Sequence, residues 1–86
     1  MPTISYFYGI RIYLPPNDHN PPHFHAEYAE FKALIAIKES VVIKGALPAK
    51  QLKSALAWSE IHSEELMRNW NSAKQNGLLV RIEPLK

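Results

Sequence analysis

The sequence predicts an α+β domain, in which an antiparallel sheet of four to five short strands packs on one long helix in the C-terminal half. Two observations predict the elements. Short runs of alternating apolar residues fill the first half, as in strands with one buried face. Residues 49–76 contain no proline or glycine and repeat apolar side chains at helical spacing. With 86 residues, 47% of them hydrophobic, we expect a single domain over 1–86 with a thin core.

The run TISYFYGIRIYL at residues 3–14 predicts the first strand, because it is rich in β-branched and aromatic residues. Gly9 inside it indicates a bulge or a close backbone approach. Pro15 and Pro16 end it. One buried face is expected to carry the residues of one parity: Tyr6, Tyr8, Ile10, Ile12 and Leu14.

The next two runs, 23–28 and 31–38, predict a β-hairpin whose two-residue loop is Ala29-Glu30. The expected cross-strand pairs are Tyr28 with Phe31, Glu27 with Lys32, His25 with Leu34, and Phe24 with Ile35. A slip of one residue would mix the apolar and polar faces, so this register is favoured. Tight hairpin turns prefer Gly or Asn, which leaves a longer loop as the alternative.

Val41 to Lys44 predicts the next strand, closed by Gly45. One helix is then expected from Pro48 to about Asn76, with Gly77 as its stop. Its apolar face comprises Leu52, Ala55, Leu56, Ser59, His62, Ser63, Leu66, Met67, Trp70 and Ala73. A last short strand is predicted from the shared parity of Leu78, Val80 and Ile82, before Pro84.

A helix of that size would span roughly 42 Å, which exceeds the width of such a domain. It must therefore protrude, bend, or pack against a second copy of the chain. Trp58, Ile61 and Ala57 lie off the core-facing stripe and predict a small outer patch. This patch makes a homodimer through the long helix one of the expected assemblies.

Composition excludes several classes of protein. The absence of cysteine excludes disulfide frameworks and Cys-type zinc sites and fits the cytoplasm. No apolar run approaches the ~20 residues that a membrane helix needs, and the N-terminus lacks the order of a signal peptide. We therefore expect a cytoplasmic protein without membrane partners. A net charge of +2 and a pI near 9.0 permit nucleic-acid binding without requiring it.

The stretch NDHNPPHFH at residues 17–25, here called the histidine box, holds three of the four histidines. Its prolines stiffen a loop that leads into a strand near His23. His23 and His25 then point to one face, with Cβ atoms about 7 Å apart.

Three interpretations of the histidine box stay open. In the first, Asp18 and Asn20 shape a turn and the histidines are surface or binding residues. In the second, His23 and His25 are a catalytic acid and base, with Lys32 and Arg11 holding a phosphate. In the third, His19, His23 and His25 bind a divalent metal cofactor such as zinc.

A binding role would use the box together with the outer helix patch. The candidate binding residues are Asp18, Asn20, Pro21, Pro22, Phe24, Lys32 and Trp58. His62 lies beside Trp58 at the edge of the helix stripe and is expected to be a partly buried structural histidine.

Four motifs resemble one small bacterial family, the domain-of-unknown-function family 4160. They are PTISYFYGI, NDHNPPHFHAEY, GALPAKQL, and the pattern W-x3-H-x2-EL-x3-W at Trp58, His62, Glu65, Leu66 and Trp70. The resemblance covers nearly the whole chain, and its NPPHFH box is the specific part. Ala29 departs from the pattern, since Gly is expected in the hairpin turn.

The resemblance implies a short bacterial protein that is often encoded beside another small protein of unknown function, as in toxin-antitoxin pairs. It implies importance, with no assigned role, for His19, Pro21, Pro22, His23 and His25. The predicted function is thus one component of a two-protein, toxin-antitoxin-like module that binds the neighbouring gene's product, with nucleic acid as an optional further ligand. The alternative is a small nuclease-like hydrolase that uses the box as acid and base or as metal ligands.

Overall fold

The computed structural model describes residues 3–15, 19–75 and 77–85. Five strands precede two helices: β1 (Thr3–Phe7), β2 (Ile10–Tyr13), β3 (His23–Tyr28), β4 (Phe31–Ala36), β5 (Val41–Ala46), α1 (Ala49–Ile61) and α2 (Ser63–Lys74). The strands form one antiparallel sheet in chain order. The predicted α+β class and antiparallel sheet are confirmed. Neither helix has the length and apolar character needed to cross a membrane.

The run 3–14 forms two strands, so the prediction of one strand is wrong. Tyr8 and Gly9 both have positive φ angles, 52° and 79°, and make a two-residue turn between the paired residues Phe7 and Ile10. Gly9 also makes the expected close approach, because an added Cβ would lie 3.0 Å from the Tyr28 ring. The turn reverses the chain, and a single parity therefore does not define the buried face.

The side chains before and after this turn differ in burial. Tyr6 and Tyr8 are exposed, although their parity predicted burial, whereas Ile10, Ile12 and Leu14 are buried as predicted. A shift in the β1–β2 register between Thr3 and Ser5 adds to the break in periodicity.

The β3–β4 hairpin has the predicted register. Tyr28 pairs with Phe31, and the predicted pairs at Glu27, His25 and Phe24 follow. The loop is Ala29-Glu30, in which Ala29 takes a φ of 52° that is normally left to Gly or Asn. Beyond this hairpin, β5 continues through Gly45 instead of ending there.

The predicted single helix is wrong, because the chain bends at His62 into two helices of about twelve residues each. His62 has φ −111° and ψ 24°, outside helical geometry. The hydrogen bonds from His62 N to Trp58 O and from Leu66 N to His62 O continue across the bend. Bending is one of the three outcomes expected of a 42 Å helix, and the longest dimension of the molecule is 34 Å.

Packing explains where the helices lie. Trp58 of α1 is fully buried, with its ring centroid 5.5 Å from that of Phe7 and 5.7 Å from that of Phe24. Trp58 is therefore a core residue and not part of the predicted outer patch, where Ile61 is indeed exposed. The predicted apolar stripe is otherwise largely confirmed, since Leu66 and Trp70 of α2 are also buried.

The last segment, residues 77–85, forms no strand, contrary to the prediction. Asn69 bonds both backbone groups of Val80, donating from Nδ2 to the carbonyl at 2.8 Å and accepting the N–H at 2.9 Å. Trp58 Nε1 donates to the Glu83 carbonyl, and the Ile82 N–H reaches Ile4 O of β1. Of the three residues of the predicted strand face, Ile82 is buried, whereas Leu78 and Val80 are exposed.

Replacing Trp58 by Ala is expected to lower the free energy of unfolding by about 3–5 kcal/mol, because it empties the centre of the core. Ile61→Ala, at an exposed position of the same helix, should change it by no more than about 0.5 kcal/mol. Urea unfolding followed by far-UV circular dichroism measures both values. Equal losses for the two variants would contradict this packing.

Candidate functional site

His23 begins β3 and is built into the fold. The residue is 6% exposed, and its ring centroid lies 5.2 Å from that of Trp70 in α2. Nδ1 lies 2.8 Å from the carbonyl oxygen of Pro21. A carbonyl only accepts, so Nδ1 donates this bond, and His23 thereby fixes the loop that precedes β3.

His25 lies on the same face of β3, as the sequence predicts, with its ring centroid 5.8 Å from that of His23. It stacks on Tyr13 of β2, its cross-strand partner, at 4.8 Å between centroids. Both ring nitrogens of His25 and Nε2 of His23 are buried. An acid or base must reach its substrate, and this conformation keeps these nitrogens away from solvent.

Beyond Tyr13, the same face carries a network of charged residues. The Tyr13 hydroxyl donates to Glu27 Oε2 at 2.6 Å, while the Arg11 guanidinium lies 4.3 Å above the Tyr13 ring. Arg11 Nη1 is 3.6 Å from Glu27 Oε1, and Lys32 Nζ is 3.3 Å from Glu27 Oε2. Glu27 therefore lies between the two cations that were predicted to hold a phosphate, and the predicted Glu27–Lys32 pair is present.

The hydrogen bonds of this network set its protonation. The Tyr13 hydroxyl, followed by Lys32 and Arg11, lowers the pKa of Glu27 below its ordinary value of 4.5. Burial and the bond to Glu27 raise the pKa of Tyr13 above 10.0. Hydrogen bonding to Glu27 raises the pKa of Lys32 above 10.5. Glu27 is therefore an anion and its neighbours keep their protons at neutral pH.

The predicted metal ligands are not all brought together. His19 is exposed in the loop before the cis Asn20–Pro21 bond, whereas His23 and His25 are buried or partly buried. Within 3–15, 19–75 and 77–85, no three His, Cys, Asp or Glu side chains form a group that could hold a metal ion. Asp18, a candidate binding residue, lies outside those ranges.

The predicted binding residues differ in exposure. Phe24 and Trp58 are fully buried against each other, so neither can touch a partner directly. Pro22 is half-buried, and the exposed members are Asn20, Pro21 and Lys32. His62 is partly buried beside Trp58, as expected, and its Nδ1 lies 2.6 Å from Glu65 Oε1.

Sequence reasoning missed Tyr13 and Trp70 as partners of the histidine box. Trp70 was recognised only as a core residue. Tyr13 lies opposite His25 only in the β2–β3 register, which pairs Arg11 with Glu27 and Tyr13 with His25. The charge complementarity of Arg11 and Glu27 was the available signal for that register.

The family model for the domain of unknown function DUF4160 matches residues 9–71. The chain belongs to this family. The resemblance drawn from the NPPHFH box is thus confirmed, and the matched range contains the whole box, Tyr13, Trp58 and Trp70. No curated protein and no solved structure matches the chain.

His23→Ala in this DUF4160 chain should lower the free energy of unfolding by about 2–3 kcal/mol, through a cavity beside Trp70 and a lost bond to Pro21. His19→Ala, in the same box but exposed, should cost less than about 1 kcal/mol. Thermal and urea unfolding of the two variants give the comparison. An equal cost at both positions would show that burial of His23 is unimportant.

Glu27 should make the stability of the protein sensitive to acid. Its pKa is lower in the folded state, so its contribution is complete above the unfolded pKa and is lost as pH falls through the folded value. Wild type should therefore exceed Glu27→Gln in unfolding free energy at neutral pH, and this advantage should shrink as the pH falls below 4.5 and through the lower folded-state pKa of Glu27. Urea titrations across this pH range measure it.

Glu30→Gln is the matched control, since Glu30 is an exposed carboxylate of the β3–β4 turn. Its pH profile should run parallel to that of wild type. A wild-type advantage over Glu27→Gln that persists unchanged in acid would contradict the network.

Proposed function

We propose that the protein is one component of a two-protein, toxin-antitoxin-like module and acts by binding the small protein encoded next to it. The observation that carries this proposal is the amount of exposed apolar surface on a small chain. Eight large hydrophobic side chains of the described residues are exposed: Tyr6, Tyr8, Phe31, Val41, Ile43, Ile61, Leu78 and Val80. Within this set, Val41 and Ile43 share strand β5, and Leu78 and Val80 share the C-terminal segment. Exposed apolar side chains that are grouped together are typical of protein-protein contact.

The exposed side chains are held by ordered backbone, which supports a binding role. Leu78 and Val80 are 91% and 69% exposed, yet their segment is fixed by Asn69 and by the Ser72 hydroxyl, which donates to Leu78 O at 2.8 Å. Two adjoining grooves flank this segment and share Glu65 and Ile82. A surface that is ordered before binding loses little conformational entropy when it meets a partner.

The histidine box has a different part in this proposal. Its buried rings pack against Tyr13 and Trp70, while His19, Asn20 and Pro21 lie at the surface. Nucleic acid is a further partner that the exposed lysines of this basic chain permit.

Co-purification tests the binding function. The neighbouring gene's product, tagged and co-expressed, should retain the untagged chain, and His25→Gln should be retained equally, because its buried nitrogens do not contact the partner. In a toxin-antitoxin-like module, one of the two proteins expressed alone should arrest growth and co-expression should relieve the arrest. Absence of both a complex and a growth effect would contradict the proposal.

A small hydrolase is the second candidate, favoured by the 5.8 Å separation of the His23 and His25 rings. This function requires the loop before β3 to open and expose the ring nitrogens. Untagged protein incubated with RNA, with and without zinc, tests it. A folded His25→Gln variant should then lose activity by about 10² or more. RNA cleavage at equal rates by the wild type and by His25→Gln would remove this candidate.

A further inference from the structure

The outer strand β5 differs from the other edge of the sheet. At the β1 edge, Ile82 N donates to Ile4 O, so the C-terminal segment meets that strand. The sheet order places β5 last, with β4 on one side and no described strand on the other. Five of its six residues are exposed. The outward backbone groups of an edge strand can pair with an added strand.

The side chains of β5 combine apolar surface with one positive charge. Val41 and Ile43 are 51% and 46% exposed. Ile43 is the extra residue of a bulge between the pairs Leu34–Lys44 and Ile35–Val42. Lys44 is exposed on the polar face, diagonal to Lys32, whose own cross-strand partner is Ala46.

Lysines are concentrated in the part of the sequence that contains this strand. Residues 31–53, which span β4, β5 and the start of α1, contain five lysines and one glutamate, although the whole chain has a net charge of only +2. Pairing of two β5 strands would bring two copies of this basic segment together, which is unfavourable. The complementary partner is acidic. Within this sheet, Glu27 of β3 already forms such an acid-lysine pair with Lys32 of the adjacent strand β4, at 3.3 Å.

We propose that β5 takes an extended acidic segment of the partner protein as a sixth strand. The carboxylates of that segment lie on the face of Lys44, and its apolar side chains lie on the opposite face, beside Val42. This inference rests on the proposed partner-binding function and names the chemistry of the segment that the partner supplies. Backbone hydrogen bonds along β5 provide the affinity, and the lysines select acidic sequences.

Two end-capped synthetic heptapeptides serve as probes, one alternating Glu with Val and the other alternating Lys with Val. Each is titrated into the ¹⁵N-labelled full chain, and amide chemical shifts are followed. The Glu-Val peptide should move the amides of β5, whereas the Lys-Val peptide should leave them unchanged. Shifts confined to the C-terminal segment, or equal effects of both peptides, would overturn the proposal.

Lys44→Glu should weaken binding of the Glu-Val peptide about tenfold and introduce binding of the Lys-Val peptide, because a cross-strand attraction becomes a repulsion. Lys74→Glu, at the exposed lysine that ends α2, makes the same change of charge on an element outside the sheet and should bind like wild type. Both variants are checked for folding by circular dichroism. Equal affinities for the two variants would overturn the role of Lys44.

Hydrogen exchange in the co-purified complex separates this inference from the proposed function. A complex with protected β5 amides supports both. A complex whose β5 amides stay unprotected keeps the partner-binding function and overturns the strand addition. Peptide binding at β5 without any complex supports the site and contradicts the two-protein module. Concentration-dependent dimers that protect β5 would overturn the proposal and show that β5 binds a second copy of the chain. RNA that displaces the Glu-Val peptide would overturn it and show that β5 binds nucleic acid.

Discussion

The structure depends on the alternation of side chains along β3. Phe24 packs on Trp58 of α1, and its neighbour His23, on the opposite face of the strand, packs on Trp70 of α2. Phe24, Trp58 and Trp70 belong to one core cluster, and His23 contacts Trp70 at the start of β3. The two helices therefore share this core on either side of the bend at His62, across which the backbone hydrogen bonds continue. The same alternation places His25 on Tyr13 and joins the histidine box to the Glu27 network.

Where one face of a strand is buried, the sequence predicts the register. The β3–β4 pairing agrees residue by residue, because a slip would have buried His25 and Lys32 among the apolar residues. The β1–β2 turn was not predictable in the same way. Tyr8 adopts a positive φ that its residue type does not favour, so residue type alone does not mark this turn.

The bend between the helices and the burial of the histidines are two features that the periodic pattern of apolar residues did not predict. No proline or glycine marks His62, so local propensity favours one helix, yet α2 begins directly after it, with His62 Nδ1 2.6 Å from Glu65 Oε1 of the first turn. The sequence predicted that His23 and His25 lie on one face of the strand, but it did not predict that they are buried. That burial depends on Trp70 and Tyr13, which are remote in sequence, and on a β2–β3 register that the histidines themselves do not specify.

Burial separates the parts of the molecule that can perform chemistry from those that can meet a partner. The nitrogens of His25 are buried, while apolar side chains of β5 and the C-terminal segment are exposed. Deuterium exchange at ring carbon Cε1 of each histidine, followed by mass spectrometry, tests this division most directly. His19 should exchange several-fold faster than His23 and His25. Equal rates at the three histidines would contradict a structural role for the box and favour a site open to substrate.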